Sequence, residues 1–273
     1  MAKYKKKRAR ELQHDRFRDT AMTVLDRLGD KLEGKGKPIL YGLIGLVVLG
    51  ALVGFYVTWN SRKKDEARRA MGRAIAIAAT PVSPMSPSID PNAPKFTTER
   101  DRAQKAIEEF QKVSAKYGDP YRTEARYFIA TNLLYVEREK AISELVELSK
   151  VSIPEVAMLS KFALAQVKES DTKYDEAAQL YSELAALNST VVTPETANLR
   201  LANVYDKQGK KKEAVELLFN IADASRKAKD DDGTPLPPSS AGREAAEKLQ
   251  KLDPERYAKL TPEAPQALPF GLG

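Results

Sequence analysis

Between Lys37 and Arg62 the chain carries no charge: Pro38 to Ser61 is built mostly from Leu, Ile, Val, Gly and aromatic residues. An α-helix needs about 20 mainly apolar residues to cross the hydrocarbon of a bilayer, where the backbone must satisfy its own hydrogen bonds. The run therefore predicts a transmembrane helix over 38–61, leaving a short head before it and a long polar body after it. Tyr41 and Trp59 stand near its two ends, where amphipathic aromatics favour the membrane interfaces. Gly50 and Gly54 form a GxxxG pair, a spacing that lets a second helix approach closely, although glycine is common in spans in any case.

The rest of the chain is polar. Mean hydropathy is −0.47, and the net charge of +7 is unevenly placed. Residues 1–37 hold 12 Lys or Arg against 6 Asp or Glu, whereas the body after the span is nearly balanced at 33 against 32. The basic excess, including Lys5-Lys6-Lys7-Arg8, thus lies beside the membrane, where it reads as a topology or anionic-lipid signal. No recognition fold or stacking aromatics accompany it, so nucleic acid is not an expected partner; the lipid bilayer is.

The chain has no cysteine, which removes disulfides, thiolate metal sites, cysteine nucleophiles and the lipid-modified cysteine of a lipoprotein. The first Ala-x-Ala pattern after the run, Ala76-Ile77-Ala78, lies behind Arg62-Lys63-Lys64, and the run is longer than a signal-peptide core. An uncleaved signal anchor is expected. The total charge of the head favours a cytoplasmic N-terminus, but close to the membrane both flanks are equally basic.

Composition then marks the boundaries. Residues 1–37 form a basic cytoplasmic segment in which Phe17, Ala21, Val24, Leu25, Leu28 and Leu32 fall at helical spacing. Residues 62–79 are an Ala-rich helix leading out of the membrane, and 80–98 a Pro-rich linker with Pro81, Pro84, Pro87, Pro91 and Pro94. Repeats are expected over 99–225, a Pro-rich loop over 226–240, a capping helix over 241–260 and a disordered tail over 261–273.

The body repeats itself. Alanine followed four residues later by a large apolar residue occurs at Ala106/Phe110, Ala141/Leu145, Ala177/Tyr181 and Ala214/Leu218, with the alanines 35, 36 and 37 positions apart. A second alanine precedes three of them: Ala130, Ala165 and Ala202. A period of this length with paired small residues points to stacked helical hairpins, because antiparallel helices approach closely only where a small side chain faces a large one. Turns are expected at Val136–Glu139, Asp171–Lys173 and Gln208–Lys210. On Leu201-Ala202, Tyr205, Gly209, Ala214 and Leu218 the chain resembles the tetratricopeptide repeat (TPR). The unit with Leu164-Ala165, Ala177 and Tyr181 matches less fully, with Lys168 where Tyr is usual. The first unit shows only its second helix, so its partner must come from 62–79 or be absent. The fold class is all-α: one transmembrane helix followed by a tetratricopeptide-like α-hairpin solenoid.

No catalytic, cofactor or metal residues are expected. His14 is the sole histidine, no P-loop, dinucleotide fingerprint or zinc-protease helix is present, and Asp230-Asp231-Asp232 reads as a solvated turn before Gly and Pro. Stacked hairpins act by presenting a concave surface to other proteins. Carrying the TPR register over, that surface comprises Tyr127, Thr131 and Tyr135 from one hairpin, Phe162, Gln166 and Glu169 from the next, and Leu199, Asn203 and Asp206 from the last. Its Tyr, Phe and Leu, in place of a basic clamp, suggest an extended apolar polypeptide as ligand; the same residues equally suit packing within the repeats.

With Val57-Thr58-Trp59-Asn60-Ser61 at the end of the span and Asp65-Glu66-Ala67-Arg68 leading into an Ala-rich helix, the whole arrangement resembles the YfgM-like family of ancillary SecYEG translocon subunits. The resemblance implies a non-enzymatic protein of the bacterial inner membrane with a cytoplasmic N-terminus and periplasmic repeats. Its implied partners are translocon subunits, periplasmic chaperones or unfolded clients, with no small-molecule substrate. The longer, more basic head and the two Pro-rich segments depart from that pattern. The alternative is a scaffold that recruits envelope-assembly or division proteins.

Overall fold

The computed structural model describes residues 52, 59, 61–82 and 95–263. The expected span, with Gly50 and Gly54, therefore lies outside the described residues except at Leu52, Trp59 and Ser61, as do the head and 264–273. Among the described residues no helix is long and apolar enough to cross a membrane. The chain divides into two units, 1–66 and 67–273. In the first, Leu52, Trp59 and 61–66 are helical and the Lys63 ammonium sits 4.3 Å from the centre of the Trp59 ring.

The second unit is a run of helices, each following from local sequence. Helix α1 covers 61–78 and enters this unit at Ala67. Helix α2 (Glu99–Lys116) starts where Thr98 Oγ1 accepts the Asp101 N–H at 3.1 Å, and it buries Ala103, Ala106, Ile107, Phe110 and Val113 at helical spacing. The next are α3 (Tyr121–Leu133), α4 (Arg138–Leu148), α5 (Pro154–Ser170) and α6 (Tyr174–Ala186). Last come α7 (Pro194–Lys207), α8 (Lys211–Lys227), α9 (Ser240–Leu252) and α10 (Pro254–Tyr257). Pro154 and Pro194 begin their helices at positions where the missing N–H costs nothing.

Each helix packs on the next, and every core cluster is shared by three consecutive helices. Met71 and Ala74 of α1 meet Ala106, Phe110 and Val113 of α2 and Ala125 of α3. Ile107, Leu133 and Ala141 join α2, α3 and α4. Leu145, Leu148, Val156 and Leu164 link α4 to α5, Ala165, Tyr181 and Leu201 link α5 to α7, and Leu199, Leu218 and Leu249 link α7 to α9. The repeat alanines Ala106, Ala130, Ala141, Ala165, Ala177, Ala202 and Ala214 are all 0 % exposed, which places them at the helix crossings.

Helix α1 is the partner of α2, so the first hairpin begins in 62–79. Arg102 donates to the Thr80 carbonyl at 3.4 Å, and a parallel bridge joins Val82 to Phe96, closing the ends of the linker on each other. Two boundaries differ from expectation. Helix α8 continues to Lys227, carried by its apolar stripe through Ile221, Ala222 and Ser225. The expected cap over 241–260 is broken into α9 and α10, because Pro254 cannot continue a helix and instead opens a new one, capped by Asp253 accepting the Arg256 N–H at 2.9 Å.

Candidate functional site

The first helices of successive hairpins, α3, α5 and α7, carry the residues expected to form a binding face, and the structure sorts them into three groups. Leu199 is 4 % exposed and packs on Val215, Leu218, Ala246 and Leu249, so it is a core residue. Phe162 lies edge-on to Tyr181, with ring centres 5.7 Å apart, in the cluster joining α5, α6 and α7. Glu169 accepts the Tyr181 hydroxyl at 3.0 Å and the Lys207 ammonium at 2.6 Å, tying α5 to α6 and α7. Burial, then the Glu169 carboxylate beside it, pushes the Tyr181 phenol well above its usual value. These three hold repeats together: α8 and α9 cover Leu199, whereas Phe162 is partly buried against Tyr181 of its own hairpin.

A second group is half-available. Tyr127 packs on the cluster joining α3, α4 and α5 and lies edge-on to Phe128 at 5.4 Å; burial raises its phenol pKa. Thr131 donates its hydroxyl to the Phe128 carbonyl at 3.0 Å, and Asn203 is half-buried. The third group is open: Gln166 and Asp206 are exposed, as is Tyr135. Tyr135 belongs to the turn after α3, with the Arg102 guanidinium of α2 6.0 Å from its ring centre, and so stands apart from the face of α3. What the first helices offer outward is thus a polar row, Thr131, Gln166, Asn203 and Asp206.

Charge at the hairpin turns is used to fix one repeat against the next. Arg138 pairs with Asp171 at 2.5 Å, and Gln208 donates to Asp175 at 2.8 Å, each across 33 positions. Within the α5–α6 hairpin Lys168 pairs with Glu176, whose carboxyl pKa is lowered by that hydrogen bond. Singly such exposed pairs contribute little, but repeated along the stack they set its register. Among the described residues no group of three or more His, Cys, Asp or Glu is placed to hold a metal ion.

One feature escaped the sequence. The loop after α8 folds back, with Leu236 N–H donating to Ala228 at 2.9 Å and Lys229 bridged to Pro235. It encloses a groove of about 570 Å³ walled by Leu217, Ile221 and Ala224 of α8 and by Leu236 and Pro237. Glu195, Asn198 and Asn220 supply polar groups, and Ser239 donates to Glu195 at 2.6 Å while accepting the Gly242 N–H at 2.9 Å. The signal was the apolar Pro-Leu-Pro-Pro stretch, 235–238, behind the acidic run. The groove supplies van der Waals contact and hydrogen bonds, and no acid–base pair.

The body is a stack of helical hairpins, each packed on the next. Two solved structures are similar to it: a kinesin light chain of Podosopora anserina with nearly identical TPR-like repeats, and a variant of the same protein. The first is 17 % identical with a TM-score of 0.44 over 56 % of this chain and 79 % of that one. The second is 18 % identical with a TM-score of 0.44 over 56 % and 78 %. No family model matches the chain. No curated protein matches it either.

Proposed function

We propose that this chain is a membrane-tethered protein-binding module whose TPR-like hairpins engage another polypeptide. The observation that carries the reading is the polar row Thr131, Gln166 and Asn203, at corresponding places on the first helices of consecutive hairpins, with Gln166 and the neighbouring Asp206 exposed. Protein binding is the general use of stacked hairpins. The uncharged run 38–61 supports the tether.

The finer reading follows from Val57–Ser61 and Asp65–Arg68: a subunit beside the SecYEG translocon of the bacterial inner membrane, N-terminus inside and repeats in the periplasm, receiving newly translocated proteins or passing them to chaperones. The burial of Leu199 and the partial burial of Phe162 favour a second reading in one respect, since a polar row suits the surface of a folded partner better than an unfolded apolar client. In that case the chain is a scaffold for envelope-assembly or division proteins.

Protease added to spheroplasts tests the tether first: the body is expected to be digested from the periplasmic side, and full protection overturns both readings. Photocrosslinking from Gln166 and Asn203 then separates them. Adducts with translocon subunits and nascent chains support the translocon role, and a single stable folded partner supports the scaffold.

A further inference from the structure

We infer that the groove between α7, α8 and the loop 228–239 takes a short extended segment of another polypeptide, an apolar side chain with a lysine or arginine beside it. The groove is a second place, apart from the polar row: Glu195 precedes Asp206 by three turns of α7, about 16 Å along the helix. Its walls are apolar and open. Ala224 is exposed, and Leu236 leaves 43 % of its surface to solvent although the loop folds back on α8. Covering such a wall with one aliphatic side chain removes apolar surface from water, which is the gain that drives docking. Two side-chain amides flank the wall, half-buried Asn198 of α7 and exposed Asn220 of α8. Each holds a donor and an acceptor together, the pairing that a backbone amide of an extended chain presents in return. Asn198 spends neither of them on another described residue.

Charge selects the partner. Glu195 is the charged residue in the lining; one of its oxygens accepts the Ser239 hydroxyl at 2.6 Å, and no cation of the described residues pairs with it. The loop adds Asp230, Asp231 and Asp232. Asp230 accepts the N–H groups of Asp232 at 3.1 Å and Thr234 at 2.7 Å, closing a turn that leaves Asp231 and Asp232 exposed. Against these stand Lys229 of the loop and Arg243 of α9, which donates to the Pro238 carbonyl at 2.6 Å. The other charges nearby are matched among themselves: Lys227 with Asp223, Arg256 with Glu216 and Lys248 with Glu244. Arg200 of α7 acts on Tyr181 of α6. Four acids therefore outnumber two bases around the groove, which favours a cationic segment and opposes an acidic one.

The full chain in a zwitterionic detergent is titrated with labelled short peptides that alternate leucine with lysine, with serine or with glutamate, and binding is read by fluorescence anisotropy. The lysine peptide is expected to bind about tenfold tighter than the glutamate peptide, with serine between them, and to lose most of that preference at 1 M salt. Ala224→Trp fills the groove from an exposed position and should abolish binding of the lysine and serine peptides with unchanged circular dichroism. E195Q keeps an acceptor for Ser239 and should weaken the lysine peptide about tenfold while leaving the serine peptide as it was. If Ala224→Trp alters the circular dichroism, E195Q alone decides. Equal binding of the three peptides, binding of none, or a lysine preference that survives E195Q overturns the inference. Binding that appears only once residues 264–273 are removed, or that weakens as protein concentration rises, also overturns it and gives the groove to the chain's own end or to a second copy. Photocrosslinking from Gln166 and Asn203 reads the other face, so either reading can fail without the other.

Discussion

Thr172 and Gly209 occupy the same place in successive hairpin turns, and both backbones are left-handed, with φ of 59° and 74°. Glycine adopts that region without penalty, whereas a β-branched residue does not. Thr172→Gly is therefore expected to stabilise the protein by about 1 kcal/mol, read as a higher urea midpoint with unchanged slope. A second residue-scale effect lies at Asp223. The Lys227 ammonium at 2.6 Å, then the Thr261 hydroxyl at 2.7 Å and its N–H at 3.0 Å, hold the Asp223 carboxyl down at about 2. A lowered carboxylate contributes stability that is complete above the ordinary value of about 3.9 and fades as pH falls toward 2. That contribution is on the order of 1 kcal/mol once solvent screening is allowed for. In Asp223→Asn the urea midpoint is expected to lose this part of its fall between pH 5 and pH 2.

At the scale of elements, α8 and α9 approach each other closely at Gly242. A Cβ on Gly242 would overlap Ser225 Oγ and Cβ, while the Gly242 N–H is already held by Ser239. Alanine gains about 1 kcal/mol of helix propensity there, but overpacking costs typically 1–3 kcal/mol and cannot be relieved by rotating Ser225, since its Cβ is also in the way. Gly242→Ala is expected to lower the melting temperature, and adding Ser225→Gly to recover part of the loss. The repeat spacing made the hairpins legible because small residues are required where helices cross: Ala165 and Ala177 are both 0 % exposed, and so is Tyr181. The face was harder to read. Phe162 and Gln166 are one helical turn apart, yet one is partly buried against Tyr181 and the other is open. Which of them is covered depends on how far each hairpin rotates relative to its neighbour, and the motif does not encode that angle. The division at Asp253-Pro254 was readable in principle, an N-cap followed by a helix-opening proline.

Among the described residues the repeat body has a series of small cores in place of one large one, so its stability is a chain of neighbour contacts, each needing a covered end. Helix α9 covers Leu199, Val215, Leu218 and Ile221. Ending the chain at Lys227 would bare them, and hydrogen exchange in α7 and α8 is expected to speed at least tenfold while Phe110 and Val113 in α2 keep their protection. Uniform loss of protection along the body would mean one cooperative unit instead.

The pairing of Val82 with Phe96 separates the length of the intervening chain from the geometry of the hairpin. Because Arg102 and the Val82–Phe96 bridge fix where the chain leaves α1 and where it rejoins α2, anything between them is a closed side branch. Doubling such a branch adds only about 0.6 kcal/mol of closure entropy. A folded reporter whose own termini lie close together, spliced between Ser83 and Pro94, should leave the melting temperature of the repeats within a few degrees of the parent. The first hairpin thus carries a port at which new cargo can be attached to the body while its stacking is preserved.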